Sequence, residues 1–178
     1  MRRSEAGRFA GGLYAASLGG ALLITVAVGC GGGDGGTGPG SNLNFPPLNP
    51  SVNAAFCVRG NRTVGQSASS SIATSDCDYT VFNNVPDAGY FEVWRIRVAS
   101  ARTVTFSVNA PAFDSYLDIA QLTIDNGDVT AVQQLAFDDD TNGDDPEITI
   151  DLQPDVDYAA VVSGFNDAAA GSYTLTIE

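Results

Sequence analysis

Five aspartates fall within eight residues of the stretch "FDDDTNGDDPEI", Phe137 to Ile148, and they flank a Thr-Asn-Gly turn. Asp138, Asp140, Asn142 and Gly143 satisfy the first half of the D-x-[DN]-x-[DN]-G calcium pattern. Oxygens at alternating positions converge when the chain bends, and Gly143 permits the bend. Asp144 stands where a helix-loop-helix calcium site uses a backbone carbonyl. The second half of that pattern fails, because Thr149 occupies the twelfth position, where a bidentate Glu is required. What remains is a calcium loop between strands, completed by Asp114 or Asp145. Crowded carboxylates raise one another's pKa unless a cation or water intervenes, and calcium would relieve that repulsion. A second reading needs no metal: Asp and Asn side chains cap their own turn. A third is paired-carboxylate hydrolysis of the glycosidase type, which requires one carboxyl in an apolar cleft. The capping and calcium readings both stand at this point.

The rest of the composition narrows the chemistry. The chain has 178 residues with no His, and all eight basic residues are Arg. Ser-His-Asp, Cys-His and Lys-based nucleophilic sites are thereby excluded within the chain. Three Cys without His make a poor zinc site. A net charge of −13 opposes phosphate-backbone binding, so no nucleic-acid partner is expected.

The elements that must position the acidic loop are strands. "YFEVWRIRV" alternates, with Phe91, Val93, Arg95 and Arg97 on one side and Trp94, Ile96 and Val98 on the other. "RTVTFSVNA" alternates in the same way, and "SYLDIAQLTI", "DVTAVQQLAF", "EITIDLQ", "DYAAVVSGF" and "GSYTLTIE" follow. Each is short, rich in β-branched or aromatic residues, and bounded by turn residues. Asn126-Gly127 predicts a hairpin, and Pro154-Asp155 a turn. No window holds a helical period. The expected fold is a single all-β domain, an antiparallel β-sandwich of jelly-roll type. Trp94, Tyr158 and Tyr173 are expected in its packing, with the tyrosine hydroxyls at the rim.

The order of "RTVTFSV", "AFDSYLDIAQL", the acidic loop and "YAAVVSGFNDAAAGSYTLTI" resembles the bacterial pre-peptidase C-terminal domain, over roughly residues 55 to 178. "VGQSASSSIATSDCDY" is similar to that family's opening strand and turn. The resemblance implies a small β-sandwich with an accessory role in exported proteins: aiding secretion, or binding a polymer or protein. It does not imply catalysis.

The amino-terminal region reads as an address. Arg2, Arg3 and Arg8 precede an uncharged stretch from Phe9 to Gly29, in the order of a signal peptide. Its end, Ala-Val-Gly-Cys, resembles the lipobox of bacterial lipoproteins. That resemblance implies lipidation of Cys30 after removal of residues 1–29; an uncleaved membrane helix is the alternative. Residues 30–50, Gly- and Pro-rich, are expected to form a tether, and residues 51–178 the domain. Cys57 and Cys77 remain as an even pair in an exported chain, and a disulfide between them is expected. Such a link would restrict the unfolded chain by roughly 3 kcal/mol. These readings combine into a monomeric, lipid-anchored envelope protein that binds a protein or polysaccharide. A carboxylate hydrolase and a purely structural spacer are the alternatives.

Overall fold

The computed structural model describes residues 43–78, 89–141, 143, 145–164 and 169–178. The expected signal peptide, Cys30, most of the tether, Asn142 and Asp144 lie outside these residues. No helix among the described residues is long and apolar enough to cross a membrane.

The architecture is the expected all-β sandwich. One sheet joins β1 (Val58–Arg62), β4 (Tyr90–Ile96), β9 (Asp157–Gly164), β6 (Ser115–Asp125) and β7 (Asp128–Asp138) in that order, with β3 (Cys77–Asp78) also on β4. The second sheet runs β2 (Ser67–Ile72), β10 (Gly171–Ile177), β5 (Arg102–Asn109) and β8 (Glu147–Leu152). Every pairing is antiparallel except β1 with β4, which is parallel. Alternation along a strand cannot distinguish the two directions, since it fixes only which side chains share a face.

Period two decides the main core. Val104, Phe106 and Val108 of β5, with Leu175 and Ile177 of β10, meet Trp94 and Ile96 of β4 and Leu117 and Ile119 of β6 between the sheets. The intervening residues of the second sheet are mostly Ser and Thr facing outward, as in the pair Thr105–Thr149, whose hydroxyls lie 2.9 Å apart. The first sheet is apolar on both faces. Phe91, Val93, Leu122 and Ala159 point away from the main core and form a second cluster, packed by Phe56 and Val58. β9 is accordingly buried on both sides, a condition sheets meet only when both faces are covered.

The second cluster lies beside the segment expected to be a tether. Residues 43–57 contain the one-turn helix α1 (Pro50–Ala55), too short for a helical period to register in sequence. The Asn49 backbone N–H donates to the Gly127 carbonyl at 2.9 Å, and its Nδ2 donates to Asp128 Oδ1 at 2.7 Å. The β6–β7 hairpin tip carries Asn126 at φ 51° and Gly127 at φ 88°, the two positive values its turn requires. A Cβ on Gly127 would stand 2.9 Å from Asn49 Oδ1, so both the turn and the docking of this strap demand glycine.

The expected disulfide is present. Cys57 precedes β1 and Cys77 begins β3, and the bond joins two strands that lie end to end along the same side of β4.

Candidate functional site

The acidic loop joins β7 to β8, and two of its aspartates hold the backbone. Asp138 Oδ2 accepts the Thr141 and Glu147 N–H groups at 3.3 and 2.8 Å, closing the loop at its base. Asp145 turns toward the β5–β6 connection. Its Oδ1 accepts the Ala110 N–H at 2.8 Å and its Oδ2 accepts Asn109 Nδ2 at 3.0 Å. Asp114 is the last residue of that same β5–β6 connection, and Asp138 serves the base of its own loop. Gly143 takes the positive φ, 89°, anticipated for the bend. Among the described residues no group of three or more His, Cys, Asp or Glu side chains is gathered as metal ligands would be.

The crowding of charge is felt most clearly at Asp139. Partial burial raises its pKa, and the charges of Asp140 and Asp138 raise it further. Tyr116, on the adjacent β6, is also pushed well above its ordinary value, by burial first and then by Asp118, Asp139 and Asp138. Its ring stacks on Phe137, with centroids 6.0 Å apart and planes 19° from parallel. Phe137 is 52% exposed, so an aromatic pair borders the acidic loop on the outer surface of the first sheet.

Two buried charge clusters emerge from the fold. Glu92 has no exposed surface. It lies in phase with Trp94 and Ile96 on β4 and therefore points between the sheets. Tyr173 of β10 donates to Glu92 Oε2 at 2.6 Å, and Trp94 Nε1 donates to the Tyr173 hydroxyl at 2.8 Å. Arg59 bonds Glu92 and Asp76 at the mouth of this network. Their attraction outweighs desolvation and raises the Arg59 pKa. The Tyr173 hydroxyl is thus a buried inter-sheet link rather than a rim group. Tyr158 is likewise buried, and its hydroxyl accepts the Gln153 N–H at 2.9 Å. The signal for Glu92 was its phase: an acid among inward positions must find partners.

The second cluster holds Arg95 and Arg97, which alternation placed on the Phe91 and Val93 side of β4. Both grip Asp157, with N–O distances of 2.7 and 2.8 Å. Their remaining Nη1 groups donate to the Pro46 and Asn44 carbonyls at 2.9 and 2.6 Å, and Arg95 lies over the Phe45 ring. The pair fastens the 43–49 strap to the sheet. Asp157 carried no local sequence signal, since its role depends on strands brought together from 60 residues away.

Two open surface depressions lie among the described residues. One lies over β2 and β10, lined by Ser69–Ser71, Asn109, Pro111 and Ser172–Thr174. The other lies between the strap and the β6–β7 tip.

No protein-family model matches the chain, and no curated protein matches it. Similar solved structures exist. The pre-peptidase C-terminal domain of a collagenase from Bacillus anthracis is 17% identical, over 76% of this chain and 100% of that one, at a TM-score of 0.47. CorA, a surface-associated copper-binding protein of Methylomicrobium album BG8, is 9% identical over 68% and 98%, at 0.42. PliG of Aeromonas hydrophila, a periplasmic inhibitor of g-type lysozyme, is 10% identical over 67% and 98%, at 0.38. The chain is an all-β sandwich, and among the solved structures similar to it is a pre-peptidase C-terminal domain, the family that its motifs resemble.

Proposed function

We propose that the chain is a non-catalytic binding module of the bacterial cell envelope, lipidated at Cys30 and exported by the segment before it. The observation that carries the reading is where the acids are engaged. Asp138, Asp145, Asp157 and Glu92 each hold backbone amides, arginines or a buried tyrosine, which are structural duties. A hydrolytic pair would need one carboxyl in an apolar cleft facing substrate. The disulfide supports an oxidising compartment. The module presents its surfaces to a protein or polysaccharide ligand.

Calcium at the Asp138–Asp145 loop is the second element of the proposal. Burial first, and then the charges of Asp140 and Asp138, raise the Asp139 pKa, and a cation would relieve the repulsion between these carboxylates. Asp138, Asp140, Asn142 and Asp144 would supply oxygens, with Asp114 and Asp145 behind them.

The test uses the full chain, expressed in a bacterium and extracted in detergent. Fatty-acid label should enter the protein and vanish in Cys30→Ala; label retained in that variant removes the anchor. Binding without turnover is expected on a panel of envelope glycans and proteins. Hydrolysis that disappears in Asp140→Asn overturns the non-catalytic reading. Saturating calcium, at a hundredfold above its Kd, should stabilise the fold by about 3 kcal/mol; an unchanged melting temperature removes the metal.

A further inference from the structure

The edge of the first sheet is unlike the other sheet edges. β7 is eleven residues long and ends the sheet, with β6 on one side and no strand on the other among the described residues. From Val129 to Phe137 it reads VTAVQQLAF, without a charge, a proline or a glycine. Edge strands are usually blunted by charge, proline or brevity, because their open N–H and C=O groups recruit other strands. β1 is blunted by Arg59 and Arg62, β8 is six residues long with Glu147 and Asp151 in it, and β2, although uncharged, is six residues long and mostly serine, so among the described edges β7 alone is both long and uncharged between its ends. β7 has two bulges against β6 and no charge between its ends. Its large exposed side chains, Val132 at 42% and Phe137 at 52%, pair across from Leu122 and Asp118, which puts both on the outer face of the sheet.

The charge around this edge selects its occupant. Asp125 and Asp128 stand at one end of the uncharged run, and Asp138, Asp139 and Asp140 stand at the other. A second copy of β7 laid antiparallel in full register would set Asp128 against Asp138, a repulsion at each end. We infer that β7 is a strand-addition site for a protein partner that supplies an extended, apolar β-strand with Arg or Lys at its ends. The partner's backbone completes the open ladder. Its apolar side chains lie beside Val132 and Phe137, and its basic ends meet the two aspartate groups. At the loop end an arginine would also find the Tyr116–Phe137 ring pair, whose π faces attract a guanidinium.

The inference rests on the binding-module reading and narrows it to one surface and one class of partner. The probe is a synthetic peptide, Arg-Thr-Val-Thr-Val-Thr-Val-Thr-Arg, added to the full chain in detergent. Amide hydrogen exchange and titration are the readouts. Protection should appear in residues 129–137, weaken with added salt, and be absent with the same peptide carrying Glu ends. Val132→Lys changes an exposed side chain, so the fold should persist, verified by an unchanged melting curve. It should weaken the peptide by about tenfold. No binding, equal binding of the Glu-ended peptide, or equal binding to Val132→Lys each overturns the edge proposal. Self-association of the chain through residues 129–137 would also overturn it, in favour of a second copy. If Val132→Lys still takes a ligand found on the envelope panel, the binding module stands and only this surface is wrong.

Discussion

Replacing Tyr173 by Phe tests the buried link between the two sheets. The substitution keeps the ring and its packing and removes one oxygen. That oxygen accepts from Trp94 Nε1 at 2.8 Å and donates to Glu92 Oε2 at 2.6 Å. Both partners are buried, Trp94 at 4% and Glu92 at 0% exposure, so neither regains water. Stranding a buried polar group costs about 1–3 kcal/mol, and more for a charged one. Two stranded groups give an expected loss of about 3 kcal/mol, or roughly 10 °C in Tm for a domain of this size. Chemical denaturation of the purified chain at constant pH reads the difference directly. A paired Glu92→Gln variant should not add to Tyr173→Phe, since the two residues share one network. A loss under about 0.5 kcal/mol, the size of an ordinary surface substitution, would refute the claim that this network bears load between the sheets. The same hydroxyl gives a pH signature. Burial, then the Glu92 carboxylate, raises the Tyr173 pKa far above its ordinary value. A group raised in the folded state contributes stability that is complete below its unfolded pKa, near pH 10 for Tyr, and is lost as pH climbs toward the folded value. Stability of the native chain should therefore fall above about pH 10, and Tyr173→Phe should flatten that decline.

Reduction of the Cys57–Cys77 bond, or Cys77→Ala, should cost roughly 3 kcal/mol for a loop of this length, read as a drop in denaturation midpoint. Asp157→Asn removes a buried carboxylate that two arginines share, and should destabilise by about 3–5 kcal/mol. It should also loosen the strap, seen as faster proteolysis around residues 43–49; an unaffected cleavage rate would show that the strap is held by other contacts. Asp139→Asn should stabilise the fold at neutral pH, because burial and then two neighbouring carboxylates already penalise its charge. That gain should shrink as pH falls below the carboxylate range, where Asp139 is protonated in both states.

Much of the architecture could be read from the chain because a strand's faces are written in alternate residues. Val104, Phe106 and Val108 had to face together, and so did Leu117 and Ile119. The Asn126–Gly127 turn was legible because few residues tolerate two successive positive φ values. The pairing of Cys57 with Cys77 followed from counting cysteines in a chain whose amino-terminal segment reads as a signal peptide. The acidic loop was visible by its composition, and Asp138 caps its own turn as the metal-free reading expects. The parallel direction of β1 against β4 was not legible, because a side-chain pattern carries no direction. Nor was the role of residues 43–49. Its Gly- and Pro-rich surroundings suggested a tether, yet the segment docks on a sheet whose second apolar face needed covering.

By itself, then, the sequence determined which residues face inward, where the chain turns, and which chemistries it lacks, since these depend on residue type and near neighbours. Only the tertiary structure decided which acids meet. Glu92 finds Tyr173 across 81 residues, and Asp157 finds Arg95 and Arg97 across about 60. Aspartates that look alike in "FDDDTNGDDPEI" part company in space. Asp138 closes its own loop, Asp145 grips the β5–β6 turn, and Asp139 meets the field of its neighbours. The physical reason is range. Backbone geometry and hydropathy act over a few residues, whereas a buried charge is held by whichever partner the folded sheets bring within 3 Å of it.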